Sequence, residues 1–279
     1  MASGVIEMIG SLAELLPVSA ANASSGLMPP RLPASRATVG LVNPPLSTAI
    51  YVGHVRADAD RMAAAYRTGP VDAPVAACPG WDVTALVQHM AYIHRWADFA
   101  VRNAAAAGPG DVAEPGTGAD LADWLRTGAA TLADDLAAVD PDAPTWHPFP
   151  VERTAWIWAR RQAHETSMHR WDAEMATIGS SSLDPRLAAD GVTEYIELAV
   201  PRIAQREHVE LPTVTVRIDC TDVEDGDHLL GPVDQPVAAT LRATAERALL
   251  VLMGRAPGSD FEIDGDVGAA SAWLSIPGW

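Results

Sequence analysis

The stretch "RQAHETSMHRWD", residues 161–172, decides how this chain folds and what it can hold. It spells H-E-x-x-x-H, one residue longer than the H-E-x-x-H helix of zinc metalloproteases. At about 100° per residue, the five-residue step from His164 to His169 leaves the two rings roughly 140° apart around a helix, too far to share one ion. The protease reading therefore fails. Glu165 and His169, four residues apart, are separated by only about 40° and lie one above the other on a single face. They form a candidate ligand pair, and a transition-metal site needs a third protein ligand from elsewhere in the chain.

The helix around this stretch spans about residues 154–178 and carries Trp156, Trp158 and Trp171. Tryptophans in such a helix are core residues or pocket walls. Upstream, the spacing of Ile50, Val55, Ala59, Met62 and Tyr66 predicts a helix from Ser47 that stops at Gly69. Asp82 is placed to N-cap a second helix, closed by the glycine-rich "AGPGDVAEPGTG", and a third runs over about residues 120–139. Four long helices joined by polar loops make a helix bundle. Beyond it, a helix is expected over about residues 186–205. "TVTVRID", "PVAATLRA" and "FEIDGD" read as strands, and "TAERALLVLMG" and "VGAASAWLSI" as helices. The fold class is α+β: a four-helix bundle over residues 47–180 followed by a small α/β domain over 181–279. Residues 1–46, rich in Pro, Ser and Gly at their end, read as a flexible leader with one short helix near residues 5–16. They lack the basic n-region of a signal peptide and carry Glu7 and Glu14.

On the second helix, His89 falls beside the stripe Leu86, Met90, Ile93 and Ala97 and points inward. Facing helices of a bundle can bring inward side chains to one metal, which makes His89, Glu165 and His169 a plausible triad. The plain alternatives are a hydrogen-bonded core histidine and a Glu165–Arg161 pair. Asp172 either accepts the second ring N–H of His169 or pairs with an arginine on a solvated face. His94, five after His89, reads as a rim residue. His164 reads as a bystander, and His228 as part of a turn. His54, His147 and His208 have no assigned role.

All 19 basic residues are arginine, against 36 acidic residues, giving a formal charge of −17. Such a chain lacks the basic footprint of a nucleic-acid binder. Cys78 and Cys220 are isolated, without CxxC spacing, which fits a reducing cytoplasm. Cys78, ahead of a helix start, is the one thiol whose position invites activation, though an unpartnered cysteine is usually inert. No apolar run reaches the roughly 20 residues that span a bilayer. The absence of lysine and the abundance of alanine suggest a high-GC genome.

"CPGWDVTALVQHMAYIHRW" together with "RQAHETSMHRWDAEMA" resembles the mycothiol-dependent maleylpyruvate isomerase family, part of the DinB-like metal-binding four-helix bundles found largely in actinobacteria. The resemblance extends over about residues 47–279, more weakly through "LLVLMGRAP" and "FEIDGDVGAASAWL" at the C-terminal end. It places Trp81 and Asp82 in the loop leading to the first histidine, and it implies a metal, usually zinc, on His89, Glu165 and His169. It implies mycothiol as thiol cosubstrate and a small electrophile as substrate, isomerised from cis to trans by reversible thiol addition. Arg242, Arg247 and Arg255 become candidates for contacting an acidic substrate. A mycothiol S-transferase and a metal-binding module without turnover are the other functions compatible with these residues. A monomer or weak homodimer, free of membrane and nucleic-acid partners, is expected.

Overall fold

The computed structural model describes residues 46–276, apart from 117, 119 and 150, so the expected leader falls, but for Leu46, outside the described residues. Helices α1 (Thr48–Thr68), α2 (Val83–Asn103), α3 (Asp120–Ala138) and α4 (Ala155–Ile178) form the bundle. Asp82 starts α2 as expected, its side chain accepting from the Ala85 N–H at 2.8 Å. This satisfies one of the amides that a helix start leaves unpaired. The core interleaves Val55, Ala59 and Met62 of α1, Leu86 and Met90 of α2, Leu125 and Leu132 of α3, and Trp158 and Ala163 of α4.

Helix α4 is central: it packs on the other three bundle helices and, on its far side, on the next helix of the chain. Its sequence therefore has no solvent face of the usual width. Arg160, Arg161, Arg170, Asp172 and Glu174 are all buried, each with an oppositely charged partner. Buried charges persist only when paired in this way. Trp158 lies fully inside the bundle core, donating to the Trp146 carbonyl at 2.8 Å. Trp171 packs on the second core, and Trp156 is half-buried with the Arg160 guanidinium 5.8 Å from its ring centroid.

The helix expected over 186–205 exists, but not as one regular α-helix. It is α5 (Pro185–Glu194), a π-helical turn (Tyr195–Ala199) and α6 (Val200–Glu207) in unbroken succession. A side chain on Gly191 would meet Leu249 Cδ2 at 2.7 Å and His164 Nδ1 at 3.2 Å, so its absence lets α5 approach both neighbours closely.

The three expected strands appear as β1 (Thr215–Cys220), β3 (Val237–Ala243) and β4 (Glu262–Gly265), and the structure adds β2 (Asp227–Leu230). His228 is consequently a strand residue rather than a turn residue. It is buried and bonded to Thr193 Oγ1 at 3.0 Å, and burial pushes its pKa down to about 4. The sheet order is β2-β1-β3-β4, with β1 and β3 parallel and both outer pairs antiparallel. Val216, Ile218 and Leu241 point from its inner face into a second core. There they meet α5, the π turn, α7 (Ala245–Leu252) and α8 (Val267–Leu274).

One acid pair in the bundle gives a pH prediction. Burial and the neighbouring Asp135 push Asp98, at the end of α2, up to about 6. An unfolded aspartate titrates near ~4. Between about pH 4 and 6 the folded chain thus holds a proton that the unfolded chain has lost, and this stabilisation disappears as pH rises through about 6. Asp98→Asn, which mimics the protonated form, should leave Tm unchanged near pH 4. Near pH 7.5 it should raise Tm by roughly 2–4 °C, the shift expected of ~1 kcal/mol at this chain size. Equal Tm values for variant and parent at the higher pH would show that the pair carries no such penalty.

Candidate metal centre

His89 sits in the second turn of α2, and Glu165 and His169 one above the other on α4. The crossing of these helices brings their side chains together. Glu165 Oε1 lies 3.4 Å from His89 Nε2 and 3.4 Å from His169 Nε2. The two imidazoles stand almost perpendicular, with centroids 5.3 Å apart. The ligand atoms of the three residues all lie within 4.8 Å of one another. Trp81, in the loop that Asp82 ends, lies against the His89 ring with centroids 5.0 Å apart.

Glu165 faces the histidines and Arg161 at once, and Asp172 meets both His169 and an arginine, in a buried position rather than on a solvated face. Glu165 Oε2 accepts from Arg161 while Oε1 faces the histidines. Asp172 Oδ2 accepts from His169 Nδ1 at 3.1 Å and from Arg255 Nη2 at 2.9 Å, and its side chain is only 1% exposed. A carboxylate behind a ligating histidine fixes the ring tautomer and leaves Nε2 to face the metal. Burial alone would raise the Glu165 carboxyl, but the Arg161 charge and hydrogen bonds from His169 and His89 hold it well below the usual range. Burial would lower His169, and is outweighed by hydrogen bonds to Asp172, Cys78 and Glu165, which push it well above its ordinary value. Burial is the largest influence on His89 and pushes it down.

Two nitrogens and one ionised oxygen converging from two helices, with the nitrogen of one ring oriented from behind, suit a borderline ion such as zinc. Cys78, His169 and Asp172 also come within 4.8 Å. That second grouping is a poor cation site, because Asp172 is already neutralised by Arg255 and already holds the Nδ1 proton of His169.

Of the three candidate arginines, Arg255 reaches the site through Asp172. Arg242, on β3, pairs with Asp219 at 3.2 Å, and Arg247, on α7, with Asp260 at 2.5 Å; both are half-exposed within the C-terminal domain. His94 is not on the rim. It is fully buried, bonded to Thr166 Oγ1 at 2.9 Å, and burial pushes it down to about 3, so it is a neutral core residue. His164 stays apart from the triad and bonds Asp190 on α5 at 2.8 Å. Sequence spacing missed Glu194, which bonds Arg161 from α5. The i,i+4 placement of Arg161 and Glu165 was the only local signal of that network.

Fold and site together give a four-helix bundle in which two histidines and one carboxylate converge from two helices, followed by a small α/β domain. Residues 52–174 match the family model described as the mycothiol maleylpyruvate isomerase N-terminal domain. The bundle is thus similar to the N-terminal domain of an enzyme family, the mycothiol-dependent maleylpyruvate isomerases. No curated protein sequence matches significantly. Two solved structures share the fold: the mycothiol-dependent maleylpyruvate isomerase, with a TM-score of 0.56, and a histidine-to-alanine variant of it, with 0.57. Each is 12% identical, and the match covers 84% of this chain and 98% of that chain.

Proposed function

We propose that the protein is a metal-dependent enzyme that uses mycothiol to act on a small electrophilic substrate, isomerising it from cis to trans. The observation that supports this most is the convergence of His89 Nε2, Glu165 Oε1 and His169 Nε2, with Asp172 behind His169. Those three residues would hold the ion, zinc being the best fit to their donor set. A bound zinc supplies positive charge that favours a thiol in its deprotonated, nucleophilic form. The chain's own contribution is orientation. Asp172 keeps the His169 proton on Nδ1, Arg161 holds one oxygen of Glu165 aside, and Trp81 covers one face of His89.

In the isomerisation, the thiol sulfur bonds to one carbon of the conjugated double bond and the substrate rotates about the resulting single bond. The same carbon–sulfur bond then breaks and the thiol is regenerated. No oxidant or reductant is consumed. Arg255, held beside the site by Asp172, is the arginine best placed to face an acidic substrate, ahead of Arg242 and Arg247.

The test is zinc content and turnover on the purified protein. About one zinc per chain and mycothiol-dependent cis-to-trans conversion of maleylpyruvate are expected. A persistent adduct with a generic electrophile, without conversion, would make the protein an S-transferase. Stoichiometric metal with neither activity would make it a binding module, and absence of bound metal would overturn the centre.

A further inference from the structure

The two oxygens of Glu165 have different partners. Oε1 faces His89 and His169, and Oε2 is bonded to Nη2 of Arg161. The other arm of that guanidinium, Nη1, is bonded to Glu194 Oε2 on α5. Arg161 is 6% and Glu194 3% exposed, so this pair is held out of bulk water.

An arginine facing a single buried carboxylate prefers the fork-to-fork arrangement, in which two parallel N–H groups bond both oxygens. In that arrangement Glu165 would lose Oε1 to Arg161 and could not present it to the histidines. We propose that Glu194 is a positioning residue for the metal centre. By occupying one arm of Arg161, it prevents the guanidinium from closing over both oxygens of Glu165 and keeps Oε1 available as a ligand. This rests on the metal-binding reading of the triad. Glu194 lies beyond the residues 52–174 that match the family model, so the element after the bundle completes the centre.

The experiment measures zinc affinity by competition with a chromophoric chelator, on full-length protein. Glu194→Gln is nearly isosteric but removes the charge that holds Arg161. It should weaken zinc binding on the order of 10-fold, as the loss of a residue supporting a metal ligand does. The visible spectrum of the cobalt-loaded protein should change as well, because the carboxylate ligand is displaced. Glu197→Gln is the control: Glu197 sits on the π turn and pairs with Arg160 at 2.6 Å, outside this chain of contacts. It should lower Tm without altering zinc affinity or the cobalt spectrum. Arg161→Lys has no fork to close over both oxygens, so adding it to Glu194→Gln should recover most of the lost affinity. Zinc-bound parent protein with undiminished affinity in Glu194→Gln, no recovery in the double variant, or equal losses in Glu194→Gln and Glu197→Gln overturns the positioning role alone. Parent protein that binds no zinc overturns the metal reading and this role with it.

Discussion

His169→Ala is expected to abolish stoichiometric zinc binding and to lower mycothiol-dependent turnover on the order of 100-fold or more, since even partners behind a ligand are worth 10- to 100-fold. In the proposed centre His169 would supply a donor nitrogen that Asp172 cannot replace, because Asp172 is engaged with Arg255 at 2.9 Å. The informative comparison is His164→Ala, five residues away on the same helix. His164 is more deeply buried than His169, and it is bonded to Asp190 at 2.8 Å, away from the triad. Zinc content should therefore survive His164→Ala while Tm falls. Loss of zinc in both variants would mean that general damage to α4, and not ligation, explains the result.

Asp190→Ala is expected to be the most destabilising of the single changes considered. Asp190 Oδ2 accepts from Tyr51 OH at 2.8 Å, His164 Nε2 at 2.8 Å and Arg160 Nε at 3.0 Å, and Oδ1 from Arg160 Nη2 at 2.9 Å. Burial would raise this carboxyl, but the hydrogen bond from His164 and the charge of Arg160 outweigh it and hold it below its ordinary value. Truncating one partner of a buried ion pair typically costs ~3–5 kcal/mol, because the other charge stays buried without compensation. Glu197 retains one bond to Arg160, which places the expectation toward the lower end of that range. Urea unfolding measures it, and a loss below about 1 kcal/mol would show that the cluster relaxes or hydrates instead. The depressed pKa sets the sign of the pH effect. The stabilisation is fully present above the unfolded pKa of ~4 and declines as pH falls below it. The stability gap between parent and Asp190→Ala should therefore narrow in acid.

What could be read from the sequence followed from local physics. The cap at Asp82, the helical spacing of α1 to α4 and the 40° offset of Glu165 and His169 are all set within a few residues. Other features depend on what packs where. Its spacing from His89 puts His94 on the rim of a helix with one buried face, but α2 is buried on that side too, and His94 lies against Thr166 of the central helix. The strand β2, "DHLL", is too short to show alternation and carries no β-branched residue, so its pairing with β1 is the whole of its signal. Glu194 and Arg255 are connected to the triad only through contacts made across the fold, Glu194 by way of Arg161 and Arg255 by way of Asp172.

The π-helical turn at Tyr195–Ala199 has a consequence for how such chains can change. A π turn is an α-helix that has accommodated one additional residue. Removing one residue between 195 and 199 would restore regular α-geometry. It would also swing everything after it by about 100°, carrying the face of Val200–Glu207 away from its present neighbours while Glu194, ahead of the turn, stayed on Arg161. The turn thus acts as a hinge in sequence space: insertions and deletions there re-aim α6 and leave the Arg161–Glu194 pair untouched.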